Sequence, residues 1–201
     1  MRKPAIQALA CVALAAFAGC FNEPEPAYKT VPAEARAYLQ DKGFTNFKTA
    51  VEGLDANIVD YINLDRNALE NIDGVEGFVN LKWLRLNENR LSSLPSLKTL
   101  KVLRRIYLRD NSFAEVPEAL KDLPALTDIE LSGNPIKEIP GWLVQKEGLE
   151  FLSFSRTLVT KLPADLSAWR KLKALQLGDL KMSAEEMARI RKALPDIAIV
   201  F

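Results

Sequence analysis

Residues 81–91 read LKWLRLNENRL, and residues 103–113 read LRRIYLRDNSF. Both have the form L-x-x-L-x-L-x-x-N-x-L, with Ile or Phe allowed at the apolar places. Searching outward finds four more copies in phase: VDYINLDRNAL at 59–69, LTDIELSGNPI at 126–136, LEFLSFSRTLV at 149–159 and LKALQLGDLKM at 172–182. Successive starts are 22, 22, 23, 23 and 23 residues apart. A fixed period of this size marks a stacked-repeat architecture, in which each unit buries its apolar side only against its neighbours. The central L-x-L reads as a short strand with its Leu residues pointing inward and the intervening residue pointing outward. The Asn that follows turns the chain, and its amide suits the backbone of adjacent loops. Asn67, Asn89, Asn111 and Asn134 are expected to form a buried structural ladder. Thr157 can take part of that role and Leu180 none, which makes the sixth copy a degenerate terminal one.

The six copies resemble the leucine-rich repeat family, over about two thirds of the chain. The first two are similar to its 22-residue class, with Ile72, Val75 and Phe78 or Leu94, Leu97 and Leu100 at three-residue steps. Later copies resemble the 23-residue class, with Pro117, Pro140 and Pro163 after the apolar residue. The resemblance implies an α/β solenoid, a curved horseshoe with short parallel strands on its concave face. Residues 58–182 are assigned to the six repeats. Residues 32–57 are expected to form a helical N-terminal cap. Pro32 would open a helix reaching Lys42, with Ala35, Tyr38 and Leu39 on one face. Phe47, Ala50, Val51 and Leu54 continue at helical spacing. Residues 183–201 are expected to form a helix-strand C-terminal cap, with Ser183 as N-cap, Glu186 three residues later, Pro195 as the stop and Ile197 to Phe201 as a last strand. Lys146 stands where other convex segments carry Leu or Trp, and its stem is expected to pack while its ammonium reaches water.

The N-terminus carries a different signal. Residues 1–20 read MRKPAIQALACVALAAFAGC: a positive pair, Arg2 and Lys3, then an apolar run from Ala5 to Ala18. That run fits the hydrophobic part of a signal peptide and is short for a membrane span. Phe17-Ala18-Gly19-Cys20 resembles the bacterial lipobox, with Phe17 where Leu is the norm. The resemblance implies that residues 1–19 are a lipoprotein signal peptide and that Cys20 is lipidated and becomes the first mature residue. Several acyl chains on one residue give stable anchoring. Cys11 leaves with the leader, so no disulfide is expected. Phe21 after Cys20 resembles sorting to the outer membrane, and a bacterial cell envelope is the expected location. Residues 20–31 complete this segment as a Pro- and Glu-containing tether, reaching at most about 40 Å.

Composition narrows the chemistry. The chain has 201 residues, with 27 Lys and Arg against 26 Asp and Glu, and no His. Near-neutrality gives no bulk drive towards nucleic acid. The lack of His excludes a Ser-His-Asp or Cys-His site and any His-ligated metal. Gly74-Val75-Glu76-Gly77 lacks the context of a phosphate loop. No catalytic residue, metal ligand or cofactor is assigned, and a non-enzymatic protein is expected.

In-register stacking sorts the outward residues into three columns. Tyr61, Trp83, Arg105, Asp128, Phe151 and Ala174 form the first. Asn63, Arg85, Tyr107, Glu130, Ser153 and Gln176 form the second, and Asp65, Asn87, Arg109, Ser132, Ser155 and Gly178 the third. Aromatic and Arg residues are enriched at binding hot spots. The partner-binding set is therefore Tyr61, Trp83, Arg85, Arg105, Tyr107, Arg109, Asp128, Glu130 and Phe151 on the concave face, and replacing Trp83, Arg105 or Tyr107 is expected to leave folding almost unchanged. The expected function is protein–protein interaction by a lipid-anchored monomer. Two alternatives stand: carbohydrate or envelope-polymer binding by the same face, and an intracellular leucine-rich repeat regulator if the leader is not processed.

Overall fold

The structure, a computed structural model, describes residues 35–201. The expected leader over 1–19, Cys20 and the tether to residue 31 lie outside the described residues. From residue 35 the chain forms one open sheet of eight parallel strands in sequence order. They are β1 (Arg36–Tyr38), β2 (Tyr61–Asn63), β3 (Trp83–Arg85), β4 (Arg105–Tyr107), β5 (Asp128–Glu130), β6 (Phe151–Ser153), β7 (Ala174–Gln176) and β8 (Ala198–Val200). Six of these are the L-x-L segments of the repeats, as expected.

Each strand is three residues long because only the middle residue and its flanks pair before the chain turns. Ile62, Leu84, Ile106, Ile129, Leu152 and Leu175 are aligned across β2 to β7 and almost fully buried. Leu64, Leu86, Leu108, Leu131, Phe154 and Leu177 stack beside them, also buried. One continuous apolar core therefore runs the length of the solenoid. The convex connections vary. Pro117 and Pro140 stand ahead of a short 3-10 helix, Glu118–Asp122, and of a helical turn, Gly141–Val144. The fixed φ of Pro prepares the chain for these turns.

The N-terminal end corrects the sequence reading. Residues 36–38, expected within a helix, form a strand. The reason is the edge of β2, whose backbone groups need partners. Asp60 N–H donates to Ala35 O at 2.8 Å, and Leu39 N–H to Asn63 O at 2.8 Å. Ala37 lies in register with Ile62 and joins the core. The segment is thus a degenerate repeat with Ala and Leu39 at its L-x-L places. Helical cover comes from one short turn, α1 (Phe47–Ala50), whose Asn46 N-cap accepts from Thr49 N–H at 3.2 Å. Phe47 is fully buried and meets Phe78 edge-on, with centroids 6.0 Å apart.

At the other end, α3 (Ala184–Ala193) follows the turn Gly141–Val144, here α2, and carries the expected Ser183 cap, which accepts from Glu186 N–H at 3.2 Å. Glu186 turns to the preceding repeat, accepting from Leu162 N–H at 2.8 Å and pairing with Arg189. The Arg189 hydrogen bond holds its carboxyl below the usual range. Strand β8 then pairs with β7. Among the described residues no helix is long and apolar enough to cross a membrane.

Candidate functional site

The turn after each strand is built on side-chain amides. Asn111 shows the arrangement in full. Its Nδ2 donates to Leu86 O at 2.9 Å, Leu108 O at 3.0 Å and Arg109 O at 3.2 Å, and its Oδ1 accepts from Leu91 N–H at 3.0 Å. Asn89 and Asn134 repeat this pattern one turn before and after. Asn67 makes the same set at the N-terminal end, donating to Leu39, Leu64 and Asp65 O, and its Oδ1 accepts from Phe44 N–H and also from Lys42 N–H. Thr157 keeps a single one of these bonds, from its hydroxyl to Phe154 O at 2.8 Å.

The residue ahead of each ladder position is left-handed throughout: Asp41, Arg66, Glu88, Asp110, Gly133, Arg156 and Asp179 all have φ between 52° and 69°. Five of these side chains enter a row of ion pairs. Arg66 grips Asp41 with both nitrogens at 2.6 Å, Arg109 Nη2 reaches Glu88 at 2.6 Å, and Arg156 Nη2 reaches Asp110 at 3.1 Å, across Gly133. A Cβ at Gly133 would lie 1.9 Å from Asp110 Oδ1, so Gly there leaves room for the crossing.

On the outer face of the sheet, pairing places Tyr61, Trp83, Arg105, Asp128, Phe151 and Ala174 in one row. β1 extends the rows with Arg36 and Tyr38, which the sequence reading had placed in a helix. The aromatic rings join across four strands. Tyr38 and Tyr61 centroids are 5.3 Å apart, Tyr61 and Trp83 5.0 Å, and Trp83 and Tyr107 5.7 Å, the last two edge-on. Arg105 Cζ lies 5.0 Å from the Trp83 centroid, and Arg85 Cζ 5.5 Å from that of Tyr107. These are cation–π distances.

Mutual contact buries much of this face. Trp83 and Phe151 are each only 8% exposed, and Glu130 is 7% exposed, whereas Tyr38 is 46% exposed. The expectation that the outward cluster is dispensable for folding is therefore corrected for Trp83, and Phe151 and Glu130 are buried in the same way. Strands about 4.8 Å apart let large neighbours cover one another.

The arginines differ in how they are held. Arg85 donates to Asp65 at 2.8 Å, inside an ion pair that closes to 2.6 Å. Arg109 is held by Glu88. Arg105 lies 3.8 Å from Asp128, beyond hydrogen-bond length, and its guanidinium makes no side-chain hydrogen bond among the described residues. The third column is partly structural. Asp65 accepts from Asn87 N–H, Asn87 from Arg109 N–H, and Ser155 from Gly178 N–H, stitching neighbouring turns together.

Burial sets the titration of this face. It pushes the Tyr61 phenol up to about 12. It also raises the carboxyls of Asp128 and Glu130, against the opposing pull of hydrogen bonds: Thr127 hydroxyl to Asp128, and Ser132 N–H to Glu130 at 2.8 Å. Among the described residues no group of three or more His, Cys, Asp or Glu is placed to hold a metal ion. On the convex side, Lys146 donates to Leu123 O at 2.7 Å and Lys121 O at 3.3 Å, so its ammonium caps carbonyls rather than simply reaching water. Burial lowers its affinity for the proton.

Comparison with known proteins agrees with this geometry. The profile of the Leucine rich repeat family matches residues 79–136. Leucine-rich repeat-containing protein 23 of Bos taurus is 36% identical over 75 residues, which is 36% of this chain and 22% of that protein. A solved leucine-rich repeat protein of Leptospira interrogans is 27% identical with a TM-score of 0.65, covering 78% of this chain and 46% of its own. A TDR receptor superposes with a TM-score of 0.58 at 22% identity, over 71% of this chain and 26% of that one, a likeness of fold alone. The chain thus spans about a fifth of the curated relative and under half of the Leptospira protein. The fold is the leucine-rich repeat fold, an open solenoid sheet of the kind that generally serves protein–protein interaction.

Proposed function

We propose that the chain is a non-enzymatic interaction module, lipid-anchored through Cys20 at a bacterial envelope, that binds a protein partner on the outer face of its sheet. The observation that carries the face assignment is the aromatic chain Tyr38–Tyr61–Trp83–Tyr107, continuous over four strands and opening to solvent at Tyr38. Anchors of this type concentrate binding energy in a small area. The anchor and address rest on the leader and on Ala18-Gly19-Cys20. A protein is favoured over a carbohydrate because Trp83 offers no open ring: Arg105 lies over it and the edges of Tyr61 and Tyr107 close its sides.

The test is affinity capture from membranes with the full chain, comparing Arg105→Glu with Lys101→Glu, an exposed change in the turn ahead of β4. Lys146→Glu is unsuitable as the control because Lys146 caps two carbonyls. The expected result is a partner retained by Lys101→Glu and lost by Arg105→Glu at equal melting temperature. Survival of capture in Arg105→Glu contradicts the assignment. Fatty-acid analogue labelling that persists in Cys20→Ala contradicts the anchor.

A further inference from the structure

Two hydrogen-bond donors without acceptors meet at one point of the sheet face. Arg105 carries five N–H donors in a planar fork, and none finds a side-chain acceptor among the described residues. Its nearest acid, Asp128, stands 3.8 Å away and already accepts from the Thr127 hydroxyl. On the ring that Arg105 covers, the Trp83 Nε1 is screened from solvent and has no hydrogen-bond partner. Buried donors are nearly always satisfied, and an orphan asks for an explanation. Arg85 and Arg109 on the same face are each held by an acid at 2.6 Å, so Arg105 stands out among them.

Resting on the sheet-face reading, we propose that Arg105 and Trp83 form a carboxylate site, and that its occupant is an acidic residue in an extended segment of the partner protein. A carboxylate is an acceptor with about four lone-pair sites, enough for a two-point bond from the fork and one from the indole. Arg105 is about one-third exposed and held only by the ring below and a long ion pair, so its guanidinium can turn to meet an acid that approaches the Trp83 ring.

The neighbours set the rest of the segment. Asp128 and Glu130 on β5 disfavour a second acid on that side. In the other direction the rings of Trp83 and Tyr61 lead to Tyr38 on β1, which is exposed. From β4 to β1 is three strand spacings, about 14 Å, or about four residues of extended chain. The segment therefore lies across the strands, with its acid over β4 and an apolar side chain four residues away over Tyr38 and Tyr61. An acid on a protein suits this layout better than a sugar, since no ring face of Trp83 is open for stacking.

The experiment follows the indole N–H signals of the full 15N-labelled chain by NMR. Trp169, whose Nε1 donates to Leu143 O at 3.1 Å, serves as an internal reference, and Trp83→Phe assigns the Trp83 signal. The probes are three end-capped peptides, Ser-Leu-Ser-Ser-Ser-Glu-Ser and the same peptide with Gln or Lys in place of Glu. The expected result is a saturable shift of the Trp83 signal with the Glu peptide, binding at least tenfold weaker with Gln or Lys, and loss of the shift in Arg105→Gln with melting unchanged. A Trp83 signal that stays put, or one that moves equally with the Gln peptide, overturns the carboxylate site. If that happens while Arg105→Glu still abolishes partner capture, the ligand class is wrong and the sheet-face reading stands. If capture survives Arg105→Glu, both fall.

Discussion

Replacing Asn111 with Ala tests the ladder quantitatively, and the structure shows which bonds matter. Of the backbone groups Asn111 serves, three keep another donor when it is removed. Leu86 O still receives Asn89 Nδ2 at 3.1 Å, Leu108 O still receives Asn134 Nδ2 at 2.9 Å, and Arg109 O still receives Glu88 N–H at 2.7 Å. Leu91 N–H is different, because its acceptor is Asn111 Oδ1 and Leu91 is buried. One stranded buried donor costs about 1–3 kcal/mol, and the bonds lost at the carbonyls add about 1 kcal/mol more. The expected loss is therefore about 2–4 kcal/mol. Asn67→Ala provides the contrast. Its Oδ1 serves Lys42 and Phe44 N–H, of which Lys42 is exposed and Phe44 half-buried, so water can replace the side chain. Its cost should stay near 1 kcal/mol. Urea unfolding read by circular dichroism measures both, provided the slope is unchanged. Equal losses at the two positions, or an Asn111→Ala midpoint within error of the parent, would refute the reasoning.

Gly133→Ala meets both a left-handed backbone and the Asp110 carboxylate, and should cost about 1–2 kcal/mol in thermal or urea unfolding. Asp110→Ala removes the carboxylate that the new Cβ would meet, so the excess over the backbone penalty should vanish in that background. Glu130→Gln keeps an acceptor for Ser132 N–H but cannot ionise. Burial raises the folded carboxyl of Glu130, so the native state holds its proton more tightly than the unfolded chain, and its contribution is lost as pH rises through the folded value. The variant's advantage over the parent should be small below the ordinary carboxylate range and grow as pH climbs above it; a constant gap across pH 4 to 8, a window chosen around the ordinary glutamate value of about 4.3, would show that Glu130 is not the cause. Trp83→Ala should cost about 3 kcal/mol of stability, because the ring is buried among Tyr61, Tyr107 and Arg105, while Arg105→Gln should stay within about 0.5 kcal/mol.

The repeat strands were legible because L-x-L has a period of two inside a period of 22 or 23, and both must be met at once. β1 was not. Ala-Glu-Ala-Arg-Ala at 33–37 is rich in helix formers, and Lys42 occupies the ladder place, so local propensity pointed to a helix. The signal that could have found it was Ala37-x-Leu39, lying 25 residues before Ile62-x-Leu64. Tertiary pairing overrode propensity there. The three outward columns were legible from spacing, yet their energetics were not, since direction alone does not reveal that Tyr61, Tyr107 and Arg105 close over Trp83. The left-handed row is not legible in the sequence for a similar reason. Glycine normally marks that conformation, and among the ladder turns only Gly133 carries it.

The central claim is that a protein partner sits on the sheet face. Photo-crosslinking tests it most directly, with a photoreactive residue placed at Tyr38, exposed on that face, or at Val102, also exposed, in the turn ahead of β4. The account predicts a defined crosslinked protein from position 38, lost when Arg105→Glu is added, and none from position 102. A partner crosslinked from position 102 and not from position 38 would contradict it.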